Sequence, residues 1–101
     1  MHINAVNTLE IEVGEGRDEV LMQCLHAFIG RAGKWPGCLG YGLTQSTHQT
    51  RVWLLSGYWE SQAALSAHFA DGELGTLVWQ VGRQALGIRF NRYLAQTDEH
   101  A

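Results

Sequence analysis

The chain has 101 residues, is 46% hydrophobic, carries a formal net charge of -3, and scatters its seven Lys and Arg along its length. That length allows one domain, residues 1–101, near the small end of what buries a self-sufficient core, and the lack of a basic stripe excludes nucleic acid as a partner. The opening MHINAVNTLEIEV has neither the basic region nor the apolar core of a signal peptide, and no apolar run approaches the ~20 residues of a membrane span, so a cytoplasmic protein without membrane contact is expected.

Residues 3–13 alternate, with Ile3, Ala5, Leu9, Ile11 and Val13 sharing one face with Asn7. That is a strand with one polar residue on its apolar side. Gly14-Glu15-Gly16 breaks the pattern, and Asp18 and Glu19 put negative charge where a helix macrodipole favours it. A helix over 17–32 follows, with Val20, Leu21, Cys24, Leu25, Phe28, Ile29 and Ala32 as a broad apolar stripe. Gly33 to Gly37, with Pro36 among them, end it. Residues 38–46 form a second strand, with Leu39, Tyr41 and Leu43 on one face and Cys38, Gly40 and Gly42 on the other, a glycine face that leaves room for an approach.

The third strand, 50–60, is apolar on both faces: Val52, Leu54 and Tyr58 on one, Trp53, Leu55, Gly57 and Trp59 on the other. Ser61 then suits an N-cap, and in the helix it opens His68 falls one turn beyond Ala64 and Leu65, on the burying side. Leu74, Leu77, Val78 and Val81 mark a further helix over 73–84, and 87–96 make the fourth strand. The order β-α-β-β-α-β predicts an α+β, ferredoxin-like fold with a four-stranded antiparallel sheet. Helices cover one face; because strand three is apolar on both, the open sheet face is expected to meet a second copy in a homodimer.

Cys24 and Cys38 have neither CxxC spacing nor disulfide density and read as small reduced hydrophobes. The histidines His2, His26, His48, His68 and His100 include no pair at metal-ligand spacing, so no metal is expected. No nucleophile elbow, phosphate-binding loop or dinucleotide fingerprint is present.

Three segments, Val6 to Gly16, Pro36-Gly-Cys-Leu-Gly-Tyr41 and Tyr58 to Phe69, together resemble the antibiotic biosynthesis monooxygenase superfamily. The resemblance implies a dimeric α+β barrel whose active members hold a small aromatic molecule between sheet and helices. It also implies oxidation of phenolic, quinol or anthrone-like substrates by O2 without cofactor, the deprotonated substrate itself reducing O2. Asn7 and Trp59 match the first-strand Asn and third-strand Trp of the heme-degrading branch, whose axial His would fall in Leu77-Val78-Trp79, which has none. In the anthrone-oxidising branch the strand-three Asn corresponds to Leu55 and the helix Tyr to Leu65, and Trp59 is retained. His68 matches a His frequent at this helix position.

The candidate catalytic residues are therefore Asn7, Trp59 and His68, with Trp53, Gly57, Leu55 and Phe28 lining the substrate site. His68 is either a packed ring with one nitrogen satisfied or a neutral imidazole that takes a phenol proton, its ordinary pKa of about 6.5 suiting base work. Asn7 either bonds to a neighbouring loop or steadies a substrate oxyanion. Trp53 and Trp59 are either core aromatics or two flat walls of a slot that the bare Gly57 leaves between them. Trp35 and Trp79 are assigned to loop packing or the dimer contact, and Arg89 and Arg92 to solvated or cross-dimer pairs. The alternative to an enzyme is a non-catalytic dimer that binds a small ligand in this cavity or keeps it closed as core.

Overall fold

The computed structural model describes residues 2–96, so His100 lies outside the described residues. The elements run β1 (Ala5–Glu12), α1 (Asp18–Ala32), β2 (Cys38–Gln45), β3 (Val52–Trp59), α2 (Gln62–Ala70), α3 (Glu73–Gln84) and β4 (Gly87–Leu94). The four strands form one antiparallel sheet in the order β2-β3-β1-β4. This is the ferredoxin-like arrangement expected, with two consecutive helices in the second crossover.

β1 buries Ala5, Asn7, Leu9 and Ile11 against the helices. Its Cα partners on β3 are Trp59, Gly57, Leu55 and Trp53 in that order, so these eight residues line one face. Leu21, Leu25, Phe28 and Ala32 of α1 cover much of it, while Val20, expected in that stripe, is 49% exposed. The helix turns a narrower side to the sheet than the apolar pattern suggested, because i and i+1 positions diverge by about 100° around a helix. α2 opens at Ser61, whose Oγ accepts from the Ala64 backbone N–H at 3.0 Å, and buries Leu65 and His68. α3 closes the layer with Leu74, Leu77 and Val81. None of the helices among the described residues is long and apolar enough to cross a membrane.

Strict alternation along β2 fails at its start. Cys38 pairs with Trp59 and Gly40 with Tyr58, leaving Leu39 as an extra residue in the ladder. This irregularity moves Cys38 to the helix-facing side, packed with Trp59, and leaves Gly40 and Gly42 on the open face with Tyr58 and Ser56. The expected grouping of Cys38 with those glycines is corrected accordingly. Just before it, Gly37 takes φ +82, and a Cβ there would lie 2.4 Å from the Ala64 Cβ. Only glycine lets the α1–β2 turn approach α2 this closely.

Gly57 is required by space rather than by dihedral angle: an added Cβ would stand 2.5 Å from Asn7 Oδ1 and 2.6 Å from Tyr41 Cε2. Gly75, on the exposed side of α3, has nothing within 4 Å of such a Cβ. Gly57→Ala is therefore expected to destabilise the protein by about 1–3 kcal/mol through overpacking. Gly75→Ala should stabilise it by about 0.5–1 kcal/mol through helix propensity. Urea unfolding of both variants checks the opposite signs; equal midpoints would contradict the packing at Gly57.

Candidate functional site

One row of residues crosses the helix-facing side of the sheet: Tyr41 on β2, Gly57 on β3, Asn7 on β1 and Arg92 on β4. Strands two apart are separated by about 10 Å, and side chains on them meet only if nothing stands between. Over the bare Gly57 they do: Asn7 Nδ2 donates to the Tyr41 hydroxyl at 2.7 Å. Asn7 Oδ1 accepts from Trp59 Nε1 at 2.7 Å. An indole N–H is a donor only, so this contact fixes which end of the amide is oxygen.

His68 joins from α2, its Nε2 3.3 Å from the Tyr41 hydroxyl. The phenol oxygen already accepts from Asn7, and Nε2 is the partner within reach of its own hydrogen; on that ground we assign Nε2 as the acceptor and the proton of the neutral ring to Nδ1. Hydrogen bonds thus run in one direction, from Trp59 to Asn7 to Tyr41 to His68, and the last link is the longest. His68 Nδ1 is buried with no hydrogen-bond partner.

Aromatic rings enclose the imidazole. Trp59 lies nearest at a centroid distance of 4.7 Å, then Trp35 at 5.6 Å, Tyr41 at 5.8 Å and Phe28 at 6.0 Å. Phe28 also sets its edge on the Tyr41 ring, 5.3 Å away and nearly perpendicular. Burial lowers the His68 pKa below 6.5, opposed by the charges of Glu73 and Asp71. Burial likewise pushes the Tyr41 phenol well above its ordinary range, against the Asn7 hydrogen bond that favours the anion, with Cys38 adding to the rise. Both shifts keep the groups neutral near pH 7, in keeping with the assignment of the ring proton to Nδ1.

Asn7, Trp59, His68, Gly57 and Phe28 thus come together, and the structure adds two residues that the sequence reading left aside, Tyr41 and Trp35. Asn7 finds its partners on β3 and, one strand further, on β2, and not in a loop. Leu55 sits deeper, paired with Leu9 and Leu43, and offers only apolar surface. Trp53 does not belong to the group. Six residues along a strand span about 20 Å, too far for Trp53 and Trp59 to wall one slot. Trp53 instead borders an outward cavity of about 370 Å³ with Asp18, Met22, His26, Leu43, Thr44 and Gln45. The gap expected over Gly57 between two indoles is instead filled by the Tyr41 ring and the Asn7 amide.

Arg92 stacks its guanidinium on Phe69 at 5.1 Å, and Arg83 does the same on the 63% exposed Trp79 at 4.7 Å. Among the described residues no group of three His, Cys, Asp or Glu side chains is placed to hold a metal ion.

The sequence model of the antibiotic biosynthesis monooxygenase family matches residues 5–77, from β1 into α3 and across the whole polar network. Among solved structures, the chain is similar to a protein of Deinococcus radiodurans described as a candidate antibiotic biosynthesis monooxygenase. The two are 16% identical over 93% of this chain and 94% of that one, with a TM-score of 0.81. A Mycobacterium tuberculosis protein is 21% identical over 96% and 98%, with a TM-score of 0.77. A Methanosarcina mazei protein is 16% identical over 93% and 95%, at 0.80. Comparison with curated proteins returned no match.

The lowered His68 pKa gives stability a pH dependence of definite sign. The unfolded ring takes up a proton near 6.5 and the folded one only below that, so this contribution is complete above 6.5 and is lost as pH falls towards the folded value. Urea midpoints of the wild type should hold from about pH 8 to about pH 7 and drop towards about pH 5, with a smaller drop in His68→Gln. Parallel profiles for the two proteins would contradict it.

Proposed function

Because the chain belongs to the antibiotic biosynthesis monooxygenase family, we propose that it oxidises a small phenolic, quinol or anthrone-like aromatic with O2 at the Asn7–His68 site, without a cofactor. One observation carries this reading: the protein already holds a phenol O–H there, its own Tyr41, between an amide donor and an imidazole acceptor. A substrate hydroxyl in that place would accept from Asn7 Nδ2 and give its proton to His68 Nε2. Asn7, oriented by Trp59, would then steady the oxyanion. Exclusion of water by the surrounding rings strengthens both contacts.

The resulting phenolate is the reductant. It passes one electron to O2, the carbon radical and superoxide combine to a peroxide, and loss of water leaves a carbonyl. A CH2 group plus O2 thus becomes C=O plus H2O, and no outside electron donor is needed.

The open sheet face supports a homodimer. Val6, Thr8, Leu54 and Ser56 lie at its centre on β1 and β3, with Tyr58 and Tyr93, 37% and 53% exposed, beside them. No helix among the described residues covers them, and a second copy would. The rival reading, a dimer that keeps this region closed as core, is favoured by the 0% exposure of Asn7, Trp59 and His68.

The deciding experiment is O2 uptake by the purified protein with a panel of anthrones and dihydroxynaphthalenes. Uptake above autoxidation is expected. His68→Ala should lower kcat about 10²-fold or more through loss of the base, and Trp59→Phe about tenfold by freeing the Asn7 amide. Uptake unchanged in both variants, or absent with every compound, would reject the site or the reaction. Light scattering should give a mass of about twice 11.3 kDa; a monomer at micromolar concentration would rule out the sheet-to-sheet dimer.

A further inference from the structure

Asn7, Trp59 and His68 are each 0% exposed, so in this conformation not even a water touches them. A substrate reaches Asn7 Nδ2 and His68 Nε2 only if the group now bonded to both leaves. That group is the Tyr41 phenol, at 2.7 Å and 3.3 Å. Its ring lies on the bare backbone of Gly57, where an added Cβ would meet it at 2.6–2.7 Å. Both features a planar phenol needs, a flat floor and a donor–acceptor pair for its oxygen, are thus taken up by one side chain of the protein.

That side chain is also the one placed to move. Asn7 and Trp59 stand on the two central strands and His68 on a packed helix, whereas Tyr41 is half-buried on β2, at the edge of the sheet. β2 is irregular at Leu39, two residues away. Gly40 and Gly42 flank the tyrosine, and neither has anything within 4 Å of where a Cβ would be. Glycines on both sides and a pairing irregularity lower the cost of re-aiming a side chain on an edge strand.

We propose that Tyr41 is an internal stand-in for the substrate: its phenol occupies the seat of the substrate hydroxyl, keeps the site closed and dry, and gives way to a competing phenol. This rests on the phenol-oxidising reading above and adds to it how the site is regulated and what it selects. A ligand enters only if it replaces the ring on Gly57 and both hydrogen bonds of the hydroxyl. Aromatic molecules without a hydroxyl are therefore excluded by competition.

The test is binding of p-cresol, which is the tyrosine side chain as a free molecule, against toluene, which lacks only the hydroxyl. Tyr41→Ala should bind p-cresol about tenfold or more tightly than toluene, since two hydrogen bonds are regained. Wild type should bind p-cresol at least about tenfold more weakly than the variant, because Tyr41 competes. Tyr41→Phe keeps the ring over Gly57 and covers the case in which the alanine variant fails to fold. p-Cresol should raise its thermal midpoint more than that of wild type, and toluene should raise neither. Equal effects of p-cresol and toluene, or p-cresol binding no weaker in wild type than in the variants, would overturn the proposal. Binding needs no turnover, so the outcomes are separable: discrimination without O2 uptake keeps the phenol seat and removes the oxidation. Loss of discrimination removes the seat whatever the O2 assay gives.

Discussion

Asn7 lies in the middle of a four-stranded sheet, on the face that the helices cover, and a buried amide there costs about 1–3 kcal/mol unless both its ends find partners. Much of the surrounding arrangement meets that demand. Trp59 is two residues along β3 from Gly57, on the same face, and supplies the donor for the oxygen. Gly57 has no side chain, and this lets the nitrogen reach across β3 to Tyr41. Tyr41 then needs an acceptor for its own hydrogen, which is why an imidazole, and not another leucine, occupies the inner face of α2 at position 68. Gly37 and the Ser61 cap bring that helix in close enough to deliver it.

The proposal of a phenol in particular draws on the same chain of donors. A carboxylate in place of the Tyr41 hydroxyl would offer His68 Nε2 no proton, and an amine would offer Asn7 no comparable acceptor. A hydroxyl does both. The ring stack around it adds apolar surface on every side and keeps the imidazole neutral, so that Nε2 is free to take a proton near pH 7. The family match gives the fold and the name of a chemistry; at 16–21% identity the solved relatives carry the backbone and no residue roles. The case for a phenol rests on this chain's own side chains.

Strand and helix periodicity made the fold legible from the sequence. Alternation fixed β1, a run apolar on both faces fixed β3, the Leu74, Leu77 and Val81 spacing fixed α3, and Asn7 and His68 stood out as polar residues on apolar faces. Tyr41 was hidden for the opposite reason. On an apolar face between Leu39 and Leu43 it looks like an ordinary core aromatic, and only the strand order and register put it opposite Gly57. Alternation also misplaced Cys38, because an irregularity in pairing leaves no mark in a hydrophobic pattern. The bare Gly57 suggested a gap between two indoles; in the structure Asn7 and Tyr41 close over it, and Tyr41 comes from the neighbouring strand, which no local pattern reveals.

The directed chain of hydrogen bonds makes one commitment that bears directly on the proposed base role: near neutral pH the His68 proton is on Nδ1, and Nε2 is an unprotonated acceptor aimed at the phenol oxygen. Nitrogen-15 NMR of histidine-labelled protein at about pH 8, well above the ordinary imidazole pKa, with His68 assigned by its loss in His68→Gln, measures this. The account predicts a protonated Nδ1 and an unprotonated, hydrogen-bonded Nε2. A proton on Nε2 would reverse the last link, leave the Tyr41 hydrogen without an acceptor, and contradict a site built to take a proton from a phenol.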